Sequence, residues 1–572
     1  MNVKSNILPY VILFLIGIVF FVPFLGSFHL LDWDEINFAE SSREMLESGN
    51  FFQVQINYEP FQEKPPLFFW LQSVAMKLFG VNEFSARLPN ALFGICSLLI
   101  LFKIGSVLKN SRFGWTWSLV YLGSLLPFIY YKSGIIDPVF NLFIFLSIYF
   151  LANWISSEKN RERCISALFS GCLIGLAVIT KGPVGFLLLL LTALIFWLLY
   201  IRKVFFSFKE LLIFGLSFLF ISAFWFGHEF INNGTWFLVE FIKYQLELFS
   251  VPVAGHQQPI YYHFVVVFFG CMPISVLALT SFLKPSRNEQ LFFDRWMKVL
   301  FWVVLILFTI VSTKIVHYSS MCYLPLSYLA AMEINNWERI PKKWLNAVLI
   351  IIGLLISSAL FAIPYLANFQ PELLSNLVSD KFILSQLELD INWNGFEWMI
   401  SIVYLISIIV FVVLLHKKYT IGSLIALAFG LGCTVLLLGK FVLPKIELYT
   451  QGPAIEFYQS IESDDAYVTT VGYKSYAHLF YTKINLLEKS DGLFDIKIDA
   501  KREVMQEHST FNQIAAKQYN SILLDWFKNG TIDKPVYFIS RVDRNHMLDE
   551  NENISLLYKK GGFVFYKRTP KY

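Results

Sequence analysis

The sequence predicts an α-helical polytopic membrane protein with a small C-terminal α/β extracytoplasmic domain. Three observations lead there. Of 572 residues, 56% are hydrophobic and only 15% charged, with a mean hydropathy of +0.56, well away from soluble-domain composition. Apolar runs long enough to cross about 30 Å of hydrocarbon recur along most of the chain, unlike the ten-residue alternating segments of an outer-membrane barrel. From Tyr449 onward the pattern changes to short alternating or mixed runs separated by polar turns, as in "AYVTTVGY", "INLLEK", "SILLDWF", "PVYFISRV" and "GGFVFYKR".

The first apolar run, residues 7–30, is longer than a signal-peptide core and lacks a small-residue cleavage site, so it reads as a retained first span. Further runs begin near Leu88, Phe113, Ile135, Ile165, Val184, Leu211, Tyr261, Val299, Tyr318, Ala347, Glu397 and Ile421, giving about thirteen spans. Alternate connections, "KIGSVLKNSR", "SSEKNRER", "RKVFFSFK", "KPSRNEQLFFDRWMK", "NNWERIPKKW" and "HKKYT", are rich in Lys and Arg and are therefore cytoplasmic. The N-terminus lies on that side, and an odd span count puts the C-terminal part on the other. The organisation is a membrane domain, 1–440, followed by an extracytoplasmic α/β domain, 441–572.

The net charge of +4 does not imply nucleic acid, and the six cysteines lie in or beside apolar runs without a CxxC pair, so neither disulfides nor zinc thiolates are expected. The chain shows no repeat period and no low-complexity tract. The expected oligomeric state is a monomer.

The chemistry-bearing residues gather on the outer face. "DWDE" places Asp32, Asp34 and Glu35 where the chain leaves the first span, and the amphipathic stretch after it, closing on Gly49, reads as a helix along the membrane surface. In "QEKPPLFFW" two prolines hold the backbone extended and fix Glu63 and Lys64. Three short outer connections carry a lysine each, Lys132, Lys181 and Lys314, against the charge bias that sets the topology, which points to an anion there. Asp137 is a carboxylate entering hydrocarbon, a costly placement that calls for a partner or cavity. His256, in "VPVAGHQQPIYYHF", can join Glu63 as a metal pair, because neutral imidazole and carboxylate suit a zinc-like divalent ion; His263 is its rival.

These stretches, with "DEINFAESSREMLESGNF", "IIDPVFNLF", "TKGPVGF" and "TKIVHYSSMCYLPLSYLAA", resemble the bacterial glycosyltransferases that use a polyprenyl-phosphate sugar, above all the lipid A 4-amino-4-deoxy-L-arabinose transferases and the related protein O-mannosyltransferases. The resemblance implies a GT-C fold in the bacterial inner membrane with its active site facing the periplasm. It implies inverting transfer of a sugar from a polyprenyl-phosphate carrier to lipid A, with a protein or another glycan as the alternative acceptor. Asp34 matches the acidic residue at the reaction centre, Lys64 and Asp137 its partners near the donor phosphate, and Glu63 with His256 a metal pair. Lys181, Lys314 and Lys132 are further candidates for the phosphate, and Glu35 and Tyr318 complete the set. The sequence departs from the aminoarabinose transferases at Asn37, where they typically carry Arg. A polyprenyl-lipid transporter is the rival class, but paired halves and midplane helix breaks are missing from the pattern.

Overall fold

The computed structural model describes residues 7–61, 63–200, 206–250, 257–283, 292–335, 343–376, 378–483, 491–507 and 513–570. Among these residues seven helices are long and apolar enough to cross a membrane: Glu83–Leu108, Asp137–Ser156, Asn160–Lys181, Phe208–Asn233, Lys343–Phe369, Glu397–His416 and Thr420–Thr450. The pair Tyr262–Gly270 and Ile274–Phe282 is apolar enough to count with them when taken together, and is bent by 113° at the break between its two helices. Of the other runs in the expected thirteen, Leu8–Phe21 and Val184–Tyr200 are apolar helices shorter than a full span, and Ser111–Leu122, Leu125–Tyr130, Phe292–Ile310 and Tyr323–Asn335 are helices too short or too charged to count as spans by themselves. The first helix stops at Phe21, well short of residue 30, and turns carry the chain from there to Asp34. All six cysteines are free.

Several breaks sit where local chemistry demands them. Asn82 caps the Glu83 helix by accepting from the Ser85 N–H, while Ser85 answers the Asn82 N–H; Ser207 and Glu210 form the same reciprocal cap before Phe208. The pair Pro65-Pro66 ends the extended turn and leads directly into the helix Leu67–Phe79. The last apolar helix continues past residue 440, through a π turn at Leu438–Val442, as far as Thr450.

The C-terminal part contains a four-stranded sheet in the order β3-β4-β6-β5, formed by β3 (Tyr467–Val471), β4 (Val536–Arg541), β5 (Ser555–Lys560) and β6 (Phe563–Arg568). The β3–β4 pair is parallel and the other two pairs antiparallel. Three stretches expected to be regular form β3, β4 and β6; "SILLDWF" lies in the helix Gln513–Asn529, and "INLLEK" falls outside the described residues. A hairpin of β1 (Gln55–Ile56) and β2 (Glu59–Pro60) sits in the first outer loop.

The sheet domain closes over that loop. Gln451 donates to the Leu30 carbonyl at 2.5 Å, the Leu30 N–H donates to the Tyr481 hydroxyl at 2.8 Å, and His29 meets Glu447 at 2.8 Å. Lys497 donates to the Asn57 carbonyl at 3.0 Å, and Lys501 and Tyr519 reach Glu59. The helix Asp34–Ser48 is consequently buried from Glu35 to Met45, which corrects the expectation of a helix lying open along the membrane surface. Its charged groups pair within the protein: Arg43 binds Glu40 and Glu47, Ser42 meets Gln72, and Glu44 accepts the N–H groups of Asn57 and Tyr58.

One buried ion pair holds this region to the membrane helices. Arg87, fully buried, donates to Glu35 at 2.8 and 3.1 Å and to the carbonyls of Leu25, Phe28 and His29. Glu35 also accepts the N–H groups of Leu31 and Gly134. Burial by itself disfavours its charge, but the Arg87 charge and these hydrogen bonds outweigh it and hold the carboxyl below its ordinary range. Glu35 is thus a structural anchor, not a group presented to substrate.

Two outcomes follow from this architecture. Single cysteines at Asp543 and Lys343 should react with an impermeant thiol reagent from opposite sides of the membrane; labelling from the same side contradicts the topology. Arg87→Met, which leaves Glu35 buried without its cation, should lower stability by about 3–5 kcal/mol near pH 7, measured by thermal unfolding in detergent. Because a depressed carboxylate stabilises above its unfolded pKa and stops doing so as pH falls through its native value, the gap between parent and variant should narrow below pH 4.5.

Candidate active site

Asp34 opens its helix immediately after Trp33, which sits at φ 73°, ψ −114°, a strained setting for a bulky residue that costs on the order of 1–3 kcal/mol. The strain therefore lies next to the carboxylate. Asp34 is about one-third exposed, and its Oδ2 lies 3.2 Å from the His317 Nε2. The same nitrogen is 3.9 Å from Asp137, the first residue of its membrane helix. Asp137 is almost fully buried and binds Lys181 at 2.6 Å. Lys181, in the last turn of Asn160–Lys181, also faces the rings of Tyr318 at 5.1 Å and Phe140 at 5.7 Å. Lys64, half-buried in the proline turn, is close enough to feel Glu63, Lys181, Asp34 and Asp137. Burial, with Lys181 adding to it, lowers its pKa, while the three carboxylates act the other way.

Lys64, Asp137, Lys181 and Tyr318 stand in the wall of a cavity of about 440 Å³. Its remaining wall is overwhelmingly apolar and includes Val184, Leu187, Leu246 and Phe308. Leu187, Leu190, Ile242 and Leu246 along it are also exposed at the protein surface, so the cavity has an apolar opening through which a long apolar chain can enter while a charged head meets the two lysines.

The structure thus brings together Asp34, Lys64, Asp137, Lys181 and Tyr318. It places two of the expected phosphate ligands elsewhere. Lys132 donates to the carbonyls of Pro23, Phe21 and Phe20 at 2.5, 3.2 and 3.4 Å, and Lys314 donates to the Val311 carbonyl at 2.9 Å. Neither lines the cavity. Both satisfy carbonyls left open where an apolar helix ends at the outer face, which is reason enough for a buried cation there. Burial, with the Arg87 charge contributing, lowers the Lys132 pKa to about 7.

For a metal, Glu63 offers a carboxylate beside Lys64, but His256 lies outside the described residues. Among the described residues no three His, Cys, Asp or Glu side chains come together as a metal group. His263, the rival ligand, is buried with neither ring nitrogen hydrogen-bonded among the described residues, and it neighbours Lys314 and His317. The sequence reasoning missed His317, although it stands three residues after Lys314 in the stretch singled out for that lysine. A single histidine carries no periodicity or charge cost that would have marked it.

The sequence profile of the dolichyl-phosphate-mannose-protein mannosyltransferases matches residues 63–226. An uncharacterised protein of Aquifex aeolicus is 29% identical over 66% of this chain and 73% of its own length. The undecaprenyl phosphate-α-4-amino-4-deoxy-L-arabinose arabinosyl transferase of Pectobacterium atrosepticum is 26% identical over 59% of this chain, and the Proteus mirabilis enzyme of that name is 26% identical over 62%. The chain spans 62% and 64% of the lengths of those two transferases. The crystal structure of ArnT from Cupriavidus metallidurans bound to undecaprenyl phosphate superposes with a TM-score of 0.74, covering 98% of both chains at 19% identity. The chain therefore has the GT-C fold of ArnT over nearly its whole length and resembles, in sequence, the arabinosyl transferases that use an undecaprenyl-phosphate sugar.

Proposed function

We propose that this protein transfers a sugar from a polyprenyl-phosphate carrier to lipid A on the periplasmic face of the bacterial inner membrane, with inversion at the anomeric carbon. The observation that carries the reading is the apolar cavity with Lys64 and Lys181 in its wall and Asp34 beside them. An undecaprenyl tail needs an apolar groove open to lipid, and its phosphate needs cations where the leaving charge develops. Lys64 and Lys181 supply those cations. Asp137 holds Lys181 in place, Tyr318 covers it, and Asp34 orients the incoming nucleophile or takes its proton. The relatives' donor, undecaprenyl-phosphate 4-amino-4-deoxy-L-arabinose, is the first substrate to assay, and Asn37 makes other pentoses and hexoses the next.

A zinc-like divalent ion between Glu63 and His256 belongs to the same proposal. It would order two outer loops and the substrate groups between them. The assigned roles of Asp34, Lys64 and Lys181 stand without it. Elemental analysis of the purified protein should find about one such ion per chain, lost in Glu63→Ala and in His256→Ala; metal-free parent protein contradicts this part.

The transfer itself is tested in proteoliposomes by mass spectrometry of the acceptor lipids. Asp34→Asn should reduce turnover by about 10²- to 10⁴-fold without loss of folded protein, and near-normal turnover removes Asp34 from the mechanism. Lys64→Ala should weaken binding of undecaprenyl phosphate by at least tenfold, since a charge-assisted contact is worth roughly 1.5–3 kcal/mol. Lys132→Met should leave that binding within about twofold of the parent; a loss matching that of Lys64→Ala would return Lys132 to the phosphate site.

A further inference from the structure

We infer that His317 is a positioning residue for Asp34, holding its Nε2 against one carboxylate oxygen so that Asp34 turns its other oxygen to the acceptor. The inference rests on the transferase reading and adds a residue to it. Its geometry is specific. The ring is largely buried, its Nε2 lies 3.2 Å from Asp34 Oδ2 and 3.9 Å from Asp137 Oδ2, and Asp137 binds Lys181 at 2.6 Å. One imidazole therefore spans the gap between the acceptor-side carboxylate and the carboxylate that holds a donor-side lysine.

The backbone around His317 is built to keep it there. It lies in the tight helix Val316–Cys322, whose Ser320 hydroxyl donates to the His317 carbonyl at 2.5 Å. Asn141, one turn after Asp137, donates to that same Ser320 oxygen at 2.7 Å. The segment carrying the ring is thus pinned to the helix carrying Asp137, and a ring nitrogen fixed in this way restrains a carboxylate that is otherwise one-third open to solvent.

Charged groups face the ring from each side: Asp34 from the Asp34–Ser48 helix, Asp137 from its membrane helix, Lys181 from the end of the next, Lys64 from the proline turn and His263 from the bent pair. Burial opposes a second proton on His317, and Lys181 and Lys64 do the same, against the pull of Asp137 and Asp34; the net result is a pKa below 6.5. In neutral solution the ring is a neutral N–H donor. Once it takes a second proton, the imidazolium holds Asp34 too tightly for that carboxylate to serve the acceptor, so turnover falls on the acid side of pH 6.5.

Two variants and one spectroscopic signal test this. His317→Gln keeps an N–H donor that cannot titrate, so it should retain at least a tenth of the parent kcat and lose the acid limb. His317→Ala should lose about 10²-fold in kcat with undecaprenyl phosphate binding within twofold of the parent. The inference is overturned if His317→Ala keeps the parent kcat, if His317→Gln keeps the acid limb, or if both variants lose lipid binding as much as turnover. Independently of activity, the [15N]histidine signal absent from His317→Gln should titrate at lower pH in Asp34→Asn than in the parent, because Asp34 favours the imidazolium. An unchanged midpoint overturns the pairing even in active protein, whereas the expected shift in a parent that consumes no polyprenyl-phosphate sugar supports the pairing and counts against the transferase reading alone.

Discussion

The buried pair between Arg87 and Glu35 is the constraint on which the rest of the outer face depends. Arg87 gathers three carbonyls from the chain leaving the first membrane helix, Glu35 fixes the start of the next helix, and the Gly134 N–H on Glu35 ties in the segment that leads to Asp137. Three pieces of backbone far apart in sequence are thereby held around one charge pair. Asp34 precedes Glu35 and Asp137 follows Gly134 by three residues, so the spacing between the two site carboxylates is inherited from the anchor. Such a pair brings little net stability compared with an apolar replacement, because desolvation consumes most of the Coulomb energy. Its value here is geometric: all its partners are satisfied, and few other arrangements would satisfy them.

Around this anchor the protein separates two kinds of cation that look alike in a sequence. Lys132 and Lys314 spend their charge on carbonyls where membrane helices end. Lys64 and Lys181 sit in the wall of an apolar cavity, with Asp137, Phe140 and Tyr318 around Lys181. The first kind lies at the negative end of a helix dipole; the second faces an apolar cavity. The sheet domain takes part by covering the Asp34 helix, which keeps the carboxylates and Arg43 of its polar face inside protein.

Much of the fold was legible because its cost is legible. Apolar length, basic connections and capping residues report directly on which segments cross and which way they face. The carboxylate of Asp137 and the lysine of "TKGP" stood out because ionised groups at a hydrocarbon boundary need partners. That same signal could not distinguish Lys181 from Lys132 and Lys314, since it measures the expense of the cation and is blind to whether a carbonyl or a ligand repays it. Amphipathicity located the Asp34 helix but could not reveal that a domain more than 400 residues later covers its polar face, as the approach of His478 to Glu40 and of Lys497 to Glu44 shows. His317 was illegible for a different reason: its role exists only once Asp34 and Asp137 are brought to either side of one ring.

The most direct test of the account is a structure of the purified protein in lipid nanodiscs with undecaprenyl phosphate bound. The account places the phosphate within hydrogen-bonding distance of Lys64 and Lys181, with the polyprenyl chain running along Leu187 and Phe308 and Asp34 facing the position that the anomeric carbon occupies in the donor. A phosphate bound at Lys132 or Lys314, or a lipid chain that leaves this cavity empty, would contradict it.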